Sequence, residues 1–210
     1  MADNYLEKRY DEVFGKKTVV KRVGQSLDQM LLRNRSVRGY DKSFVVSRQL
    51  LEQIVAVNSL IASARNQQVL RFRLLTHDDG AERMLPLVKM GAALPQLHLP
   101  LEGTEPDAFI IICSTVDENR MVDIDLGISV QSMLLKAVSL GLNGLIIGAF
   151  DRQAVCQQFH LPYDPLLVLA IGRSAETFRL VPAAPDDSKT YYRSDGVHCV
   201  PKLQLPDLLV

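Results

Sequence analysis

The chain has 210 residues, 47% of them hydrophobic, and its 24 Lys plus Arg are balanced by 24 Asp plus Glu. It is long enough to bury one substantial core, short enough for a single domain, and lacks the net field that would draw it onto nucleic acid or an acidic membrane. No apolar run approaches the roughly 20 residues that cross a bilayer, and the opening MADNYLEKRYDEVFGKK has no apolar secretion core, so a cytoplasmic protein with no membrane partner is expected.

In chain order, Leu6, Tyr10, Val13 and Phe14 recur at helical spacing, so residues 1–25 are expected to form a helical extension of a single domain spanning 26–210. Ser26 followed by Gln29 is a capping-box pattern, and Leu27, Met30 and Leu31 give the next helix its apolar stripe. That helix runs into LLRNRSVRGYDKS, which gathers Arg33, Arg35 and Arg38. Ser47 can cap a further helix carrying Leu50, Leu51, Ile54, Val57 and Ile61, after which SARNQQ breaks the pattern and VLRFRLL alternates as a strand. Pro86, Pro95, Pro100 and Pro106 interrupt residues 80–106, leaving a short helix around Arg83 to Met90.

AFIIICS has the continuous β-branched character of a strand buried on both faces. The longest helix is predicted from Met121 to Leu140, with Ile124, Ile128, Met133, Leu134, Leu135 and Val138 apolar over more than one face, so it should be central; Gly141 ends it. GLIIGAF reads as a strand, Asp151 caps a helix through Phe159, and LLVLAIG is another buried strand. The C-terminal residues, with VPAAPDD and RSDGVH, read as an extended tail wrapped around something. About four strands and six helices spread along the chain make an α+β pattern.

Several chemistries are set aside on spacing. Gly141, Gly144 and Gly148 in GLNGLIIG have the wrong spacing for a dinucleotide fingerprint. His77, His98, His160 and His198 are scattered, without metal-ligand spacing, and read as surface or satisfied structural residues. Cys113, Cys156 and Cys199 are odd in number and match no zinc or CxxC pattern, so reduced thiols are expected. Asp123 and Asp125 point to different faces of their helix and cannot act as a carboxylate pair. No catalytic side chain and no metal site are expected. What remains is the arginine cluster, whose forks, with the Ser36 hydroxyl, suit a phosphate monoester. Taken by itself the cluster reads slightly better as a helix C-terminus attracting cations through the macrodipole.

Read in order, NRSVRGY, SARNQQVLRF, AVSLGLNGLIIGAFD, LAIG and a tail with VPK together resemble the nitroreductase family of FMN-dependent oxidoreductases over roughly residues 26–205. The resemblance implies an α+β fold with a central, mostly antiparallel sheet flanked by helices, in an intertwined homodimer with two flavin sites at its interface. It implies that Arg35, Ser36 and Arg38 hold the ribityl phosphate of FMN, with Tyr40 the aromatic that follows. Ser63, Ala64, Asn66 and Gln68 would meet the flavin bound mainly by the other subunit, and Ile146, Ile147 and Gly148 would lay backbone amides beside the ring. Lys202 in VPK would complete the phosphate site, with Arg193 the alternative. The implied activity is hydride transfer from NAD(P)H to flavin N5 and on to a nitroaromatic, quinone or similar electron-poor acceptor by a ping-pong mechanism. A flavin-binding carrier or sensor without turnover is the alternative, and a cofactor-free helical interaction protein is a third.

Overall fold

The computed structural model describes residues 25–91 and 99–210. The expected N-terminal helix, with Leu6, Tyr10, Val13 and Phe14, lies outside them, as do Pro95 and His98. At the centre is a four-stranded sheet in the order β1 (Leu70–Leu75), β2 (Phe109–Ser114), β4 (Asp164–Gly172), β3 (Asn143–Ile147). Every neighbouring pair is antiparallel, with Leu74 opposite Ile110 and Ile110 opposite Leu169.

All six residues of β2 are buried. The physical reason is that strand side chains alternate and both faces of the sheet are covered. Ile110, Ile112, Leu169 and Ile171 pack on one side with Leu51 and Ile54 of α2 (Arg48–Val55) and with Val130, Met133 and Ala137 of α3 (Arg120–Ser139). Phe109, Ile111, Val168 and Ala170 pack on the other with Tyr40, Leu75, Met84 and Val155, the last from α4 (Arg152–Gln158). Ahead of these, α1 (Leu27–Arg33) begins at Ser26 with the expected reciprocal capping box to Gln29. No helix among the described residues is long and apolar enough to cross a membrane.

Four expectations are corrected. First, α2 stops at Val55 and tightens into a 3-10 turn over Ala56–Ser59, so Val57 and Ile61 do not continue it. Second, the segment expected as a helix from Arg83 to Met90 is a 3-10 stretch, Ala81–Leu87, with Pro86 inside; proline cannot donate into an α-helical ladder. Third, α3 is not covered on every face. Met121, Ile124 and Ile128 remain 48%, 45% and 38% exposed and form one stripe along it.

Fourth, the C-terminal segment is not an extended tail. It forms a second sheet in the order β5 (Thr177–Ala183), β7 (Val197–Leu203), β6 (Tyr192–Ser194), followed by the short helix α5 (Leu205–Leu208). β6 and β7 form a hairpin whose two-residue loop, Asp195-Gly196, has φ of 51° and 76°, the left-handed pair that such a turn requires. The proline in β7 is compatible because β6 pairs only with Val197, His198 and Cys199, leaving Pro201 beyond its reach.

The segment after α1 meets the first sheet at Gly144 on β3. Its carbonyl accepts a 3.1 Å hydrogen bond from the Val37 N–H, and a Cβ there would lie 2.6 Å from Leu134 Cδ2 and 2.8 Å from the Ala170 carbonyl oxygen. A backbone oxygen in a sheet cannot step aside. Gly144→Ala is therefore expected to destabilise the protein by roughly 1–3 kcal/mol, the usual cost of overpacking, read as a lowered urea midpoint with unchanged slope.

Candidate functional site

The arginine segment is fixed from both sides. After α1, the Arg35 guanidinium donates to the Leu31 carbonyl at the helix end, so the macrodipole reading holds for that contact. Arg33 lies exposed in the last turn. Ser36 bridges to Gly144, Tyr40 N–H donates to the Thr104 carbonyl (2.9 Å), and Ala175 N–H donates to the Gly39 carbonyl (3.0 Å). The Tyr40 phenol donates to the Val37 carbonyl (2.9 Å). Its ring occupies the space a side chain at Gly172 would need, since a Cβ there would stand 2.5 Å from Tyr40 Cδ1.

Held this way, Arg38 is only 8% exposed. Its N–H donates to the Glu176 carboxylate at 2.8 Å, its Nη1 donates to the Ser36 carbonyl at 3.2 Å, and its guanidinium carbon sits 4.5 Å above the Tyr191 ring. Arg193 on β6 pairs with the same Glu176 carboxylate. Tyr191 in turn stacks on His198 of β7 at 5.1 Å, and Phe178 of β5 tilts against it at 5.3 Å.

Between the arginine segment and this sheet opens a cleft of about 380 Å³, lined by Arg35, Ser36, Arg38, Gln131, His198 and Lys202 among others. Its electrostatics are one-sided. Among the described residues, four buried side-chain polar atoms lack a partner: Nε of Arg35, Nε of Arg38, Nε of Arg193 and Nδ1 of His198. All four belong to the cleft or to the wall behind it. Unpaired buried donors are costly, and burial pulls the Arg35 guanidinium below its ordinary pKa. An anion with several acceptor oxygens relieves both penalties, so a terminal phosphate fits the residues present.

A second cavity, about 220 Å³, is lined by Asn58, Ser63, Gln68, Arg71, Asp125 and Ser129 among others. The loop beside it is bent tightly. Arg65, Asn66 and Gln68 have φ of 50°, 55° and 50°, left-handed values that cost non-glycine residues energy and concentrate at functional sites. Asp125, buried on α3, accepts the Ala64 N–H at 2.7 Å and anchors the loop, while the Ser63 hydroxyl accepts the Gln68 N–H at 3.3 Å. The spacing argument separated Asp125 from Asp123 but gave no hint of this anchoring role.

The structure thus brings Arg35, Ser36, Arg38 and Lys202 to one cleft, and Ser63 and Gln68 to another, with Ala64 and Asn66 in the loop beside the latter. Ile146, Ile147 and Gly148 line neither; they lie along and just after β3, the edge strand, with Ile146 exposed and Ile147 buried. Lys202 lines the cleft directly, whereas Arg193 stands behind it on Glu176. Sequence reasoning missed Gln131, Phe178, Glu176, Tyr191 and His198, because nothing local links them to residues 35–38. The histidine reading is corrected at His198, which is 3% exposed yet has an unpartnered ring nitrogen.

The model of the nitroreductase family matches residues 31–173 of the chain. A comparison with curated proteins returns no match. Among solved structures, the chain is similar to a nitroreductase family protein of Streptococcus pneumoniae TIGR4, at 13% identity over 76% of this chain and 96% of that one, with a TM-score of 0.62. An Exiguobacterium sibiricum 255-15 protein in complex with FMN matches at 18% identity over 72% and 90%, TM-score 0.59. An FMN-dependent nitroreductase of Clostridium difficile R20291 matches at 18% identity over 70% and 87%, TM-score 0.56. These likenesses establish the α+β fold with its antiparallel sheet. Phe178, Tyr191, Arg193, His198 and Lys202 all lie beyond the family-matched span.

Burial holds His198 below its usual value of 6.5, opposed by the Glu176 charge and assisted by Arg38 and Arg193. The fold therefore favours the neutral imidazole. This contribution to stability is complete above the unfolded value and is lost as pH falls below 6.5 through the lower folded value. The urea midpoint of cofactor-free protein is expected to decline across that window, and His198→Gln is expected to flatten the decline.

Proposed function

The chain belongs to the nitroreductase family, and on that premise we propose that it is an FMN-dependent oxidoreductase acting between NAD(P)H and an electron-poor acceptor such as a nitroaromatic or quinone. When bound, FMN supplies the two-electron chemistry, accepting hydride at N5 and giving it up to the acceptor. The observation that carries the reading is the set of unpartnered buried nitrogens around a cleft rich in arginine and lysine.

In this reading residues 26–210 are one FMN-binding unit. Arg35, Ser36, Arg38 and Lys202 hold the terminal phosphate, Arg and Lys through charge-assisted bonds and Ser36 through its hydroxyl. Ser63, Ala64, Asn66 and Gln68 serve the ring end, and Ile146, Ile147 and Gly148 offer backbone groups beside it. The chain's own task is to orient the cofactor and exclude water, which is why no acid–base dyad is required. The two substrates share one face of the ring, must visit in turn, and give ping-pong kinetics.

Helix geometry supports a homodimer with a composite site. Ser129 and Gln131 are two residues apart, about 200° around the axis of α3, so the cavity by Ser129 and the cleft by Gln131 lie on opposite sides of one helix. A single flavin reaches both kinds of site most simply if the loop comes from a second copy. The exposed stripe of Met121, Ile124 and Ile128 is an apolar surface suited to that contact.

Protein purified from an FMN-replete host is expected to be yellow, to release close to one FMN per chain on extraction, and to bleach when mixed anaerobically with NADH or NADPH. Cofactor that stays oxidised would favour the carrier reading instead. Arg38→Ala is expected to weaken FMN binding by roughly ten- to a hundredfold, the loss of one charge-assisted contact. In mixed dimers of Arg38→Ala with Asn66→Ala, one of the two sites should titrate with normal affinity; two damaged sites would mean that each is built within one chain.

A further inference from the structure

The wall of the cleft that lies beyond the family-matched residues is the C-terminal sheet, and His198 is a deeply buried ionisable group of it that lines the cleft. Alternate residues of a strand share a face, and His198, Val200 and Lys202 of β7 all line the cleft while Cys199 does not. The imidazole is thus presented on the same side as the lysine. Across the sheet it lies opposite Phe178 on β5 and Arg193 on β6. The charged and titratable groups around it are Glu176, Arg38, Arg193 and Tyr191, with Arg35 and Lys202 on the same cleft. Its Nδ1 is buried without a partner.

We propose that His198 is a ligand of the cofactor's phosphate that is neutral in the free protein and takes up one solvent proton as the phosphate dianion binds, so that the chain prefers FMN to riboflavin by a margin that widens as pH falls. The proposal rests on the FMN reading above. In the free protein, burial, assisted by the charges of Arg38 and Arg193, outweighs the single Glu176 carboxylate and favours the neutral ring. A dianion seated among Arg35, Arg38 and Lys202 reverses that balance. The proton then adds to the imidazole, the phosphate keeps its charge, and a neutral acceptor nitrogen becomes a charge-assisted donor. A phosphate-free isoalloxazine carrier such as riboflavin brings nothing to reverse the balance.

The test titrates FMN and riboflavin into the cofactor-free full-length protein, by flavin fluorescence, from pH 7 to 8.5, where a phosphate monoester with a second pKa of about 6 is mainly dianionic. Wild-type affinity for FMN is expected to fall with rising pH, by up to tenfold per unit, while riboflavin binding stays flat. Calorimetry near pH 7.5 in buffers of differing ionisation enthalpy is expected to show proton uptake with FMN and none with riboflavin. His198→Gln is expected to lose the uptake and about tenfold in FMN affinity, leaving riboflavin unchanged. Nitrogen NMR of the wild-type imidazole, neutral before FMN and doubly protonated after, gives the same answer without a variant.

A ring that stays neutral in the complex, or proton uptake that persists in His198→Gln, overturns the role of His198 while FMN still outbinds riboflavin. Equal binding of FMN and riboflavin to wild type at every pH instead overturns the phosphate reading itself.

Discussion

The architecture of the cleft depends on the Glu176 carboxylate. Its side chain is only 7% exposed, and it accepts from the Arg38 backbone and from the Arg193 guanidinium. Through it the segment that leaves α1 is tied to the hairpin of β6 and β7, elements separated by well over half the chain. A buried ion pair is a poor source of net stability, because desolvation offsets most of the attraction, but removing one partner strands the other. Its consequence here is positional. With Glu176 engaged, Arg38 turns its guanidinium face onto Tyr191, Tyr191 stacks on His198, and the second sheet becomes a wall facing Arg35.

The chain as a whole is electrically neutral, so attraction for an anion is created locally. Arg35, Arg38 and Lys202 converge on one cleft, with Arg193 behind them, against a single carboxylate already committed to Arg38 and Arg193. Charges gathered in a partly dry pocket are screened less by salt than the same charges on an open surface. Several of their nitrogens have no acceptor among the described residues, and each such buried donor carries a desolvation cost.

α3 organises the opposite end of the problem. Its buried face joins the core through Val130, Met133 and Ala137, Asp125 anchors the strained loop of Arg65 and Asn66, and Gln131 faces the arginine cleft. Its remaining face carries Met121, Ile124 and Ile128 outward. Ile124 and Ile128 were read as apolar positions of a central helix that begins at Met121. Periodicity reports that a face is apolar and is silent on whether the same chain or another copy covers it.

Local rules were sufficient for much of this protein. The capping box at Ser26, the caps at Ser47 and Asp151, the doubly buried β2 and the length of α3 follow from interactions within a few residues or from hydrophobic period, and each is present in the fold. The Asp195-Gly196 hairpin was also written in the sequence, as a turn pair requiring positive φ, but the prolines of the surrounding segment masked it. Arg35, Ser36 and Arg38 stood out in the sequence as a group able to meet an anion, because arginine forks carry their chemistry with them, but only the order of the motifs along the chain favoured that reading over a helix end. What surrounds them was not legible there: Glu176, Tyr191 and His198 reach the cleft only because the second sheet folds back on the first, and that approach is decided by long-range pairing and burial. The sequence by itself therefore determined where arginine, serine and lysine could gather, since their chemistry is local, and tertiary structure alone decided that the histidine would stand beside them with a ring nitrogen unpaired, since that needs strands far apart in the chain.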